Sequence, residues 1–450
     1  MKAMKLSLVI MAAALLTIGL GGMAYAFHDG GVAYCEGCHT MHNSSGGSAM
    51  YKSTTKGSVP KGSVGTANAY LLQGSDQSST CLMCHAATDA APSSYHVMTM
   101  PVPAAGTAPV EMTPGGDFAY ILKNYQWTER STLNKSDGQT HGHNIIAFDF
   151  GFPITGDTRF PSGAPGGNYP TNSLGCQSCH DPHGKYRMDN TGAVVVPGIG
   201  KAVPPIDGSG STGTLPTDTT YAVGVYRLLG GVGYLPKSAG SANIFSANPP
   251  IAVSPSSYNR KETSTDTRVA YGSGMSEWCA NCHGTAFHGQ ASGSSGSEFK
   301  HPSGSTAKLT SDIVTNYNNY VKSGDLSGNF TTTPGPYTSL VPFEEGATTI
   351  TAALKSHAVS DGSQKIGPDT SSQVMCLSCH RAHATAWDSA TRWNVKATFL
   401  TESGLYPADG TPEAQGRTQA EWQAAMYDRS AGTYFATFQR SLCNKCHAKD

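Results

Sequence analysis

The sequence predicts a mostly irregular chain with short α-helices and few strands, folded as one elongated unit. Three observations lead to this prediction. Only 38% of the residues are hydrophobic, the 52 glycines and 26 prolines together make up about 17% of the chain, and all 12 cysteines fall into six copies of one short pattern. Average proteins contain about 12% glycine plus proline. Such a chain is poor at building a conventional core, so either it is largely disordered or another body supplies the apolar surface.

The repeated pattern is Cys-x-x-Cys-His, which is the attachment signal for a c-type haem. Two thiols bond the porphyrin and the next histidine binds one face of the iron. The predicted thioether cysteines are Cys35, Cys38, Cys81, Cys84, Cys176, Cys179, Cys279, Cys282, Cys376, Cys379, Cys443 and Cys446. The predicted proximal iron ligands are His39, His85, His180, His283, His380 and His447. We number these motifs one to six in chain order.

Disulfides, zinc sites and redox dithiols also use closely spaced cysteines. None of them explains a histidine directly after the second cysteine in every copy. The sequence therefore predicts six haem c groups. Because each porphyrin is a large flat apolar body, we expect a haem-stack core with the polypeptide wrapped around it.

Ten of the 16 histidines lie outside the motifs and can supply the second axial ligand. Methionine, of which there are 14, is the alternative ligand and would raise the reduction potential. We favour six bis-histidine irons. The distal candidates are His42, His96, His143, His183, His301, His357 and His383. His28 and His141 are less favoured, and His288 is ambiguous. Any single one of the ten could instead be a surface or hydrogen-bonded core residue.

Three of the candidates, His42, His183 and His383, lie three residues after a proximal histidine. Three extended residues span about 10–11 Å, which is too short to pass around the macrocycle to the other face of the same iron. Each is therefore predicted to bind the iron of a neighbouring haem. The alternative is a histidine that only hydrogen-bonds near the site.

Bis-histidine iron has no open position, and all six motifs end in histidine. This pattern favours electron transfer over catalysis, so no catalytic residues are predicted. The alternatives are a monomeric periplasmic or cell-surface electron shuttle and a terminal reductase with one labile distal ligand. The formal net charge of −1 and the absence of a basic stripe argue against a nucleic-acid partner.

The first 26 residues predict a secretory signal peptide, with Lys2 and Lys5 before an apolar run and Ala24-Tyr25-Ala26 at its end. An uncleaved anchor is the alternative, although the apolar run is short for a membrane span of about 20 residues. Residues 27–450 are expected to form one hexahaem domain. The motifs are expected on single helical turns, with longer helices at 308–322, 419–429 and 433–447 and a strand fragment at 193–197.

Several segments resemble a known family, the extracellular nanowire-forming hexahaem c-type cytochromes of metal-reducing bacteria. They are residues 27–44, 112–118, 176–185, 268–283, 342–346, 376–384 and 442–450, and the likeness weakens near 197–218 and 401–417. The resemblance implies a secreted protein that polymerises head to tail and carries electrons through a continuous haem chain to external acceptors such as iron oxides. It also implies that His42 binds a haem of the adjacent subunit, with the fifth haem, held by Cys376, Cys379 and His380, as the target.

The expected partners are therefore further copies of this chain, upstream periplasmic or outer-membrane cytochromes, and extracellular electron acceptors. The expected location is outside the cell or on its surface, reached through the periplasm. The first and sixth motifs lie near the two ends of the chain, which is compatible with an open head-to-tail contact that builds a filament.

Overall fold

The computed structural model describes residues 35–39, 44–45, 48–49, 71–88, 95–153, 155–195, 206–236, 239–255, 261–262, 266–287, 301–320 and 336–447. The predicted signal peptide, His28, His42 and His288 lie outside these residues. Within them the chain is mostly coil and turn between short elements, which confirms the predicted fold class. No helix in the described ranges is long and apolar enough to cross a membrane.

The helices are short. In chain order they are α1 (Cys35–Cys38), α2 (Gln77–His85), α3 (Met275–His283), α4 (Ser311–Asn319), α5 (Ala352–His357), α6 (Cys376–Cys379), α7 (Gln419–Ala425) and α8 (Ala431–Tyr434). Four 3-10 turns matter below: Cys176–Ser178, Tyr226–Leu228, Asp388–Ala390 and Leu442–Lys445. All described copies of the haem motif thus include a single helical turn or end a short helix, as predicted.

The strands are also short. They are β1 (Ser44–Ser45), β2 (Ser48–Ala49), β3 (Tyr125–Glu129), β4 (Thr132–Ser136), β5 (Arg187–Met188), β6 (Val194–Val195), β7 (Ile206–Ser209), β8 (Ala222–Gly224), β9 (Ala252–Val253), β10 (Ala270–Tyr271), β11 (Phe399–Thr401) and β12 (Gln439–Arg440). Most form two-stranded antiparallel pairs, β1 with β2, β3 with β4, β9 with β10 and β11 with β12. The order β6-β5-β8-β7 forms a larger sheet, in which β7 and β8 are parallel.

The predicted helices at 308–322 and 419–429 are present in shortened form as α4 and α7. The prediction of one helix over 433–447 is wrong. Backbone pairing of Gln439 and Arg440 with β11 interrupts it, and the sixth motif begins on a separate 3-10 turn. The buried side chain of Gln439 donates to the Tyr320 hydroxyl at 2.6 Å. Tertiary contacts here override the local helical pattern.

The described core consists of three apolar clusters. The largest contains Trp393, Trp422 and Phe150, and the second surrounds Met188 and Val253. A third cluster lies around Tyr226, Val269, Tyr271, Met275, Met375 and Leu377. Partly buried motif cysteines pack against the first and third clusters, so the polypeptide core is continuous with the predicted haem attachment points.

Candidate haem-binding sites

The two longest helices that carry motifs place both thiols of the motif close together. Helices α2 and α3 each have nine residues and end on the proximal histidine, His85 or His283. Positions three and four residues apart lie on one face of a helix, so the spacing of the motif aims its two cysteines and its histidine to the same side. A carboxylate caps each helix: Asp76 accepts from the Ser79 backbone N–H at 2.8 Å, and Glu344 accepts from that of Met275 at 2.7 Å.

Four proximal histidines face a second imidazole at a nearly constant distance. The ring centroids are 6.4 Å apart for His39 and His183, 6.4 Å for His180 and His383, 5.9 Å for His283 and His143, and 6.2 Å for His447 and His301. A transition-metal ion lies about 2 Å from the imidazole nitrogen that binds it, so two rings on opposite sides of one ion have centroids roughly 6 Å apart. All four pairs have the spacing of axial ligands to a shared iron.

In four of the six predicted proximal histidines, a backbone carbonyl fixes the ring nitrogen Nδ1. Nδ1 lies 2.9 Å from the Tyr95 carbonyl in His85, 2.7 Å from that of Arg227 in His180, 2.9 Å from that of Pro165 in His283 and 2.8 Å from that of Ser389 in His380. A carbonyl oxygen can only accept, so Nδ1 carries the proton and Nε2 keeps its lone pair. This bond sets the tautomer and the ring orientation that an iron ligand requires.

The first, third and fifth motifs share a backbone element that we call the strap. The straps are residues 71–73 for the first motif, 227–230 for the third and 389–392 for the fifth. The last residue of each strap donates its N–H to the carbonyl of the second cysteine of that motif. These bonds are Gln73 to Cys38 (2.8 Å), Gly230 to Cys179 (2.9 Å) and Arg392 to Cys379 (2.8 Å). The third and fifth straps also carry the carbonyls of Arg227 and Ser389 that accept from the proximal histidine.

Non-glycine residues in the left-handed region form part of each strap. The φ angles are 48° at Arg227, 56° at Leu228, 59° at Ser389, 54° at Ala390 and 54° at Leu71. Each such residue costs on the order of 1–3 kcal/mol and persists only where its surroundings impose it. Here the unusual backbone turns a carbonyl toward the imidazole of the third or fifth motif.

A junction of three backbone segments positions two of the predicted distal histidines together. The His383 N–H donates to the Gly115 carbonyl at 2.7 Å, and the His143 N–H donates to the His383 carbonyl at 2.9 Å. Gly116 has φ 96°, and a Cβ there would lie 1.9 Å from the Ala384 carbonyl oxygen. Glycine is therefore required for this close approach.

Burial keeps these distal imidazoles neutral. Desolvation, followed by the neighbouring histidines, lowers the pKa of His383 to about 3; desolvation and then His283 lower the pKa of His143 to about 4. Only the neutral imidazole can bind a metal ion. The Nδ1 atom of His143 additionally donates to the Ala382 carbonyl at 2.6 Å, which directs its Nε2 toward His283.

Successive motifs are neighbours in space. The second and third lie side by side: the nearby Cys176 and burial raise the pKa of the Cys81 thiol, and the Ser78 hydroxyl accepts from the Cys176 N–H at 3.1 Å. The fourth and fifth repeat this arrangement with Cys279, Cys376 and Ser276, whose hydroxyl lies 3.2 Å from the Cys376 N–H. Cysteines within electrostatic range connect the remaining steps, Cys38 with Cys84, Cys179 with Cys282, and Cys379 with Cys443. The six attachment points follow one another in sequence order.

The remaining candidate histidines have different surroundings. His96 is buried beside the second motif, where Tyr95 contacts its ring and that of His85. His357 ends α5, and its Nδ1 lies 2.6 Å from Glu345 Oε2. In the described part of the chain its ring makes no contact with the ring of a motif histidine. His141 is fully buried, and its two ring nitrogens lie 2.8 Å from the Tyr120 carbonyl and the Ser136 hydroxyl.

The donor set fits haem c. Among the described residues, no group of three or more His, Cys, Asp or Glu side chains could hold a metal ion alone. A pair of imidazoles supplies two axial ligands and leaves the equatorial positions for a macrocycle, which the adjacent thiols can attach. The sequence could not identify the carbonyls that accept from the proximal histidines, because every residue type has a backbone carbonyl. They belong to Tyr95, Pro165, Arg227 and Ser389.

Comparison with known proteins gives a relative over the full length. The chain is 49% identical to C-type cytochrome OmcS of Geobacter sulfurreducens over an alignment of 461 positions that covers 100% of both chains. Two solved structures, one of OmcS nanowires and one of the outer membrane cytochrome S filament of that organism, match with a TM-score of 0.81 and 48% identity. Each match covers 94% of this chain and 100% of the solved chain. No family model matches the sequence.

Proposed function

The chain belongs to the OmcS family of c-type cytochromes, and on that premise we propose that it is an extracellular conductor built from identical subunits. Its six haem c groups relay electrons along a head-to-tail filament and deliver them to external acceptors such as iron oxides. The two matching solved structures are filaments of the relative, which supports polymerisation of this chain.

One rule in the imidazole pairs carries the proposal. The extra histidine of the third motif, His183, faces His39 of the first, and the extra histidine of the fifth, His383, faces His180 of the third. Each of these motifs thus lends a ligand to the motif two places earlier. A subunit has six motifs, so the motif two places after the fifth is the first motif of the following subunit. Its extra histidine is His42, and the rule assigns it to the iron held by His380.

Four of the proposed axial pairs follow from the imidazole contacts. The pair of His85 with His96 is proposed because His96 is buried beside the second motif, and the pair of His380 with His42 follows from the rule. The six pairs are His39 with His183, His85 with His96, His180 with His383, His283 with His143, His447 with His301, and His380 with His42 of the following subunit. His357 is left out, because its ring faces no proximal histidine in the described part of the chain and six distal ligands are already assigned. The twelve cysteines hold the six porphyrins covalently.

Each haem, when bound, supplies one centre that exchanges a single electron. The residues of the chain fix the imidazoles on both sides and leave no assigned iron open inside the filament, which favours electron transfer over catalysis. Cleavage after residue 26 and transit through the periplasm would bring the protein to the cell surface or beyond. Upstream periplasmic or outer-membrane cytochromes would supply the electrons.

The filament can be tested with His42→Ala. The variant should fold and retain six covalent haems but fail to form filaments in cryo-electron micrographs. The matched control is His357→Ala, which removes a histidine assigned to no iron and should polymerise normally. Normal filaments of His42→Ala with an unchanged absorption spectrum would contradict the contact. Isolated particles of the unaltered protein under all conditions would favour the second candidate, a monomeric electron shuttle.

A further inference from the structure

We propose that a free subunit, and the terminal subunit at one end of a filament, presents the fifth haem with an open distal iron position that binds neutral imidazole-type nitrogen bases. Such a base would occupy the place of the next subunit's histidine and stop growth at that end. This inference rests on the proposed function, because it requires the fifth iron to receive its distal ligand from another copy.

The proximal side of this site is complete within one chain. The backbone N–H of His380 donates to the Cys376 carbonyl at 3.0 Å, and the ring Nδ1 of His380 donates to the Ser389 backbone carbonyl at 2.8 Å. The Arg392 guanidinium Nε donates to the Leu377 carbonyl at 2.5 Å and contacts the His380 carbonyl at 3.1 Å. No second subunit is needed to orient the proximal imidazole.

Hydrogen bonds to the residue before it also fix the strap of the fifth motif. Asp388, directly before Ser389, accepts hydrogen bonds from the Ser136 hydroxyl at 2.8 Å, from the Thr140 hydroxyl and from Lys396 Nζ. Ser136 and Thr140 thereby connect the strap to β4 and to the turn that follows β4. The carbonyl that fixes His380 is therefore preorganised before assembly.

The distal side follows from the two-place rule. The third motif receives its ligand from the fifth motif within the same chain, through His383. The fifth motif would need a ligand from a seventh motif, which this chain does not have. The rule therefore assigns the distal ligand of the fifth motif to the first motif of the next subunit.

The ligand class follows from the group that is replaced. The position is built to receive a neutral imidazole nitrogen, so free imidazole matches its chemistry in both iron oxidation states. Carbon monoxide is a suitable second probe, because it needs only an open ferrous haem with a proximal histidine. Binding forms one iron–ligand bond and requires no electron or proton transfer.

The experiment titrates purified His42→Ala subunits that carry six haems, with intact filaments and the His357→Ala protein as controls. Reduced His42→Ala protein should bind one carbon monoxide per six haems. In the ferric protein, a high-spin signal from one haem should disappear when imidazole is added. Filaments of the unaltered protein and of His357→Ala should bind far less than one carbon monoxide per subunit. The amount bound should be proportional to the number of filament ends.

A double variant locates the site. Adding His383→Ala to His42→Ala removes the distal ligand of the third haem as well, so carbon monoxide binding should rise from one to two equivalents. If His42→Ala subunits stay monomeric yet fully low-spin and bind no carbon monoxide, the open position is overturned while the filament contact stands. If His42→Ala polymerises with native spectra, the proposed filament contact fails instead.

Discussion

The imidazole of His183 lies stacked opposite that of His39, with the ring centroids 6.4 Å apart and the ring planes 19° apart. The two residues belong to the third and first motifs. This contact is the one expected if a histidine three residues beyond one proximal ligand binds the iron of another motif, as the limited reach of three residues predicts. In the proposed assignment, the contact would tie the position of one porphyrin to the chain segment that holds another.

Replacing His183 tests this shared ligation. His183→Met should retain six haems and raise the midpoint potential of one of them, because a methionine ligand stabilises ferrous iron relative to histidine. Spectroelectrochemistry would detect the shift as one component that moves away from the rest. His357→Met is the matched control and should leave all six potentials unchanged. Unchanged potentials in His183→Met would contradict its assignment.

Gly116 is predicted to be essential for the third haem. Gly116→Ala would place a Cβ 1.9 Å from the Ala384 carbonyl oxygen in a residue with φ 96°. The left-handed backbone alone costs about 1–2 kcal/mol, and the clash must also displace the backbone beside His383. We expect lower unfolding free energy and a high-spin haem in the electron paramagnetic resonance spectrum.

The control for this substitution is Gly233→Ala. Gly233 has φ 82°, but no atom lies within 4 Å of an added Cβ. It should therefore show the backbone cost without a change in spin state. A low-spin spectrum in Gly116→Ala would show that the junction can shift without releasing His383.

Glu262 should be important for stability near the fifth haem. Its Oε2 accepts from Arg381 Nη1 at 2.8 Å and from Arg392 Nη1 at 3.2 Å, and all three side chains are buried. Glu262→Gln leaves two buried guanidinium groups without their carboxylate, and breaking such a pair costs about 3–5 kcal/mol. Chemical denaturation would measure the loss. Arg159→Ala, at the partly exposed pair with Asp157, should cost at most about 1 kcal/mol.

Glu344 should make stability depend on pH. Burial raises the pKa of this carboxyl from 4.5 to about 7, while hydrogen bonds from Gln373 and Met275 oppose the shift. Because the folded-state pKa is the higher one, the contribution of Glu344 to stability is fully present below pH 4.5 and falls as the pH rises to about 7. The slope is up to about 1.4 kcal/mol per pH unit. The unfolding free energy measured across this window should show it.

The variant Glu344→Gln should flatten the dependence of the unfolding free energy on pH, because an amide does not titrate. It should also lower stability at every pH, since an amide NH₂ cannot accept the hydrogen bond that Gln373 donates to Glu344. The exposed Glu129→Gln is the control and should keep the slope of the unaltered protein. An unchanged slope in Glu344→Gln would assign the pH dependence to other groups.

The helix predictions show where local sequence stops being sufficient. Residues 311–319 and 419–425 became helices because Thr310 and Thr418 cap their first turns with side-chain oxygens. The segment 433–447 has a helical pattern but is divided, because the hydrogen bonds of Gln439 with β11 and Tyr320 stabilise an extended backbone there. Capping is a local property that the sequence shows; strand pairing depends on a distant segment.

The sequence by itself determined the chemistry of this protein. Cysteine spacing predicts covalent haem attachment, the histidine after each second cysteine is the predicted proximal ligand, and the reach of three residues argues against His183 and His383 binding their own motifs' irons. Only the tertiary structure decided which distal histidine meets which proximal one, because those contacts join segments that are far apart in the chain. It also decided that His357 bonds Glu345 and that backbone carbonyls of the straps orient His180 and His380. A backbone carbonyl is the same in every residue, so its role depends on where the fold aims it.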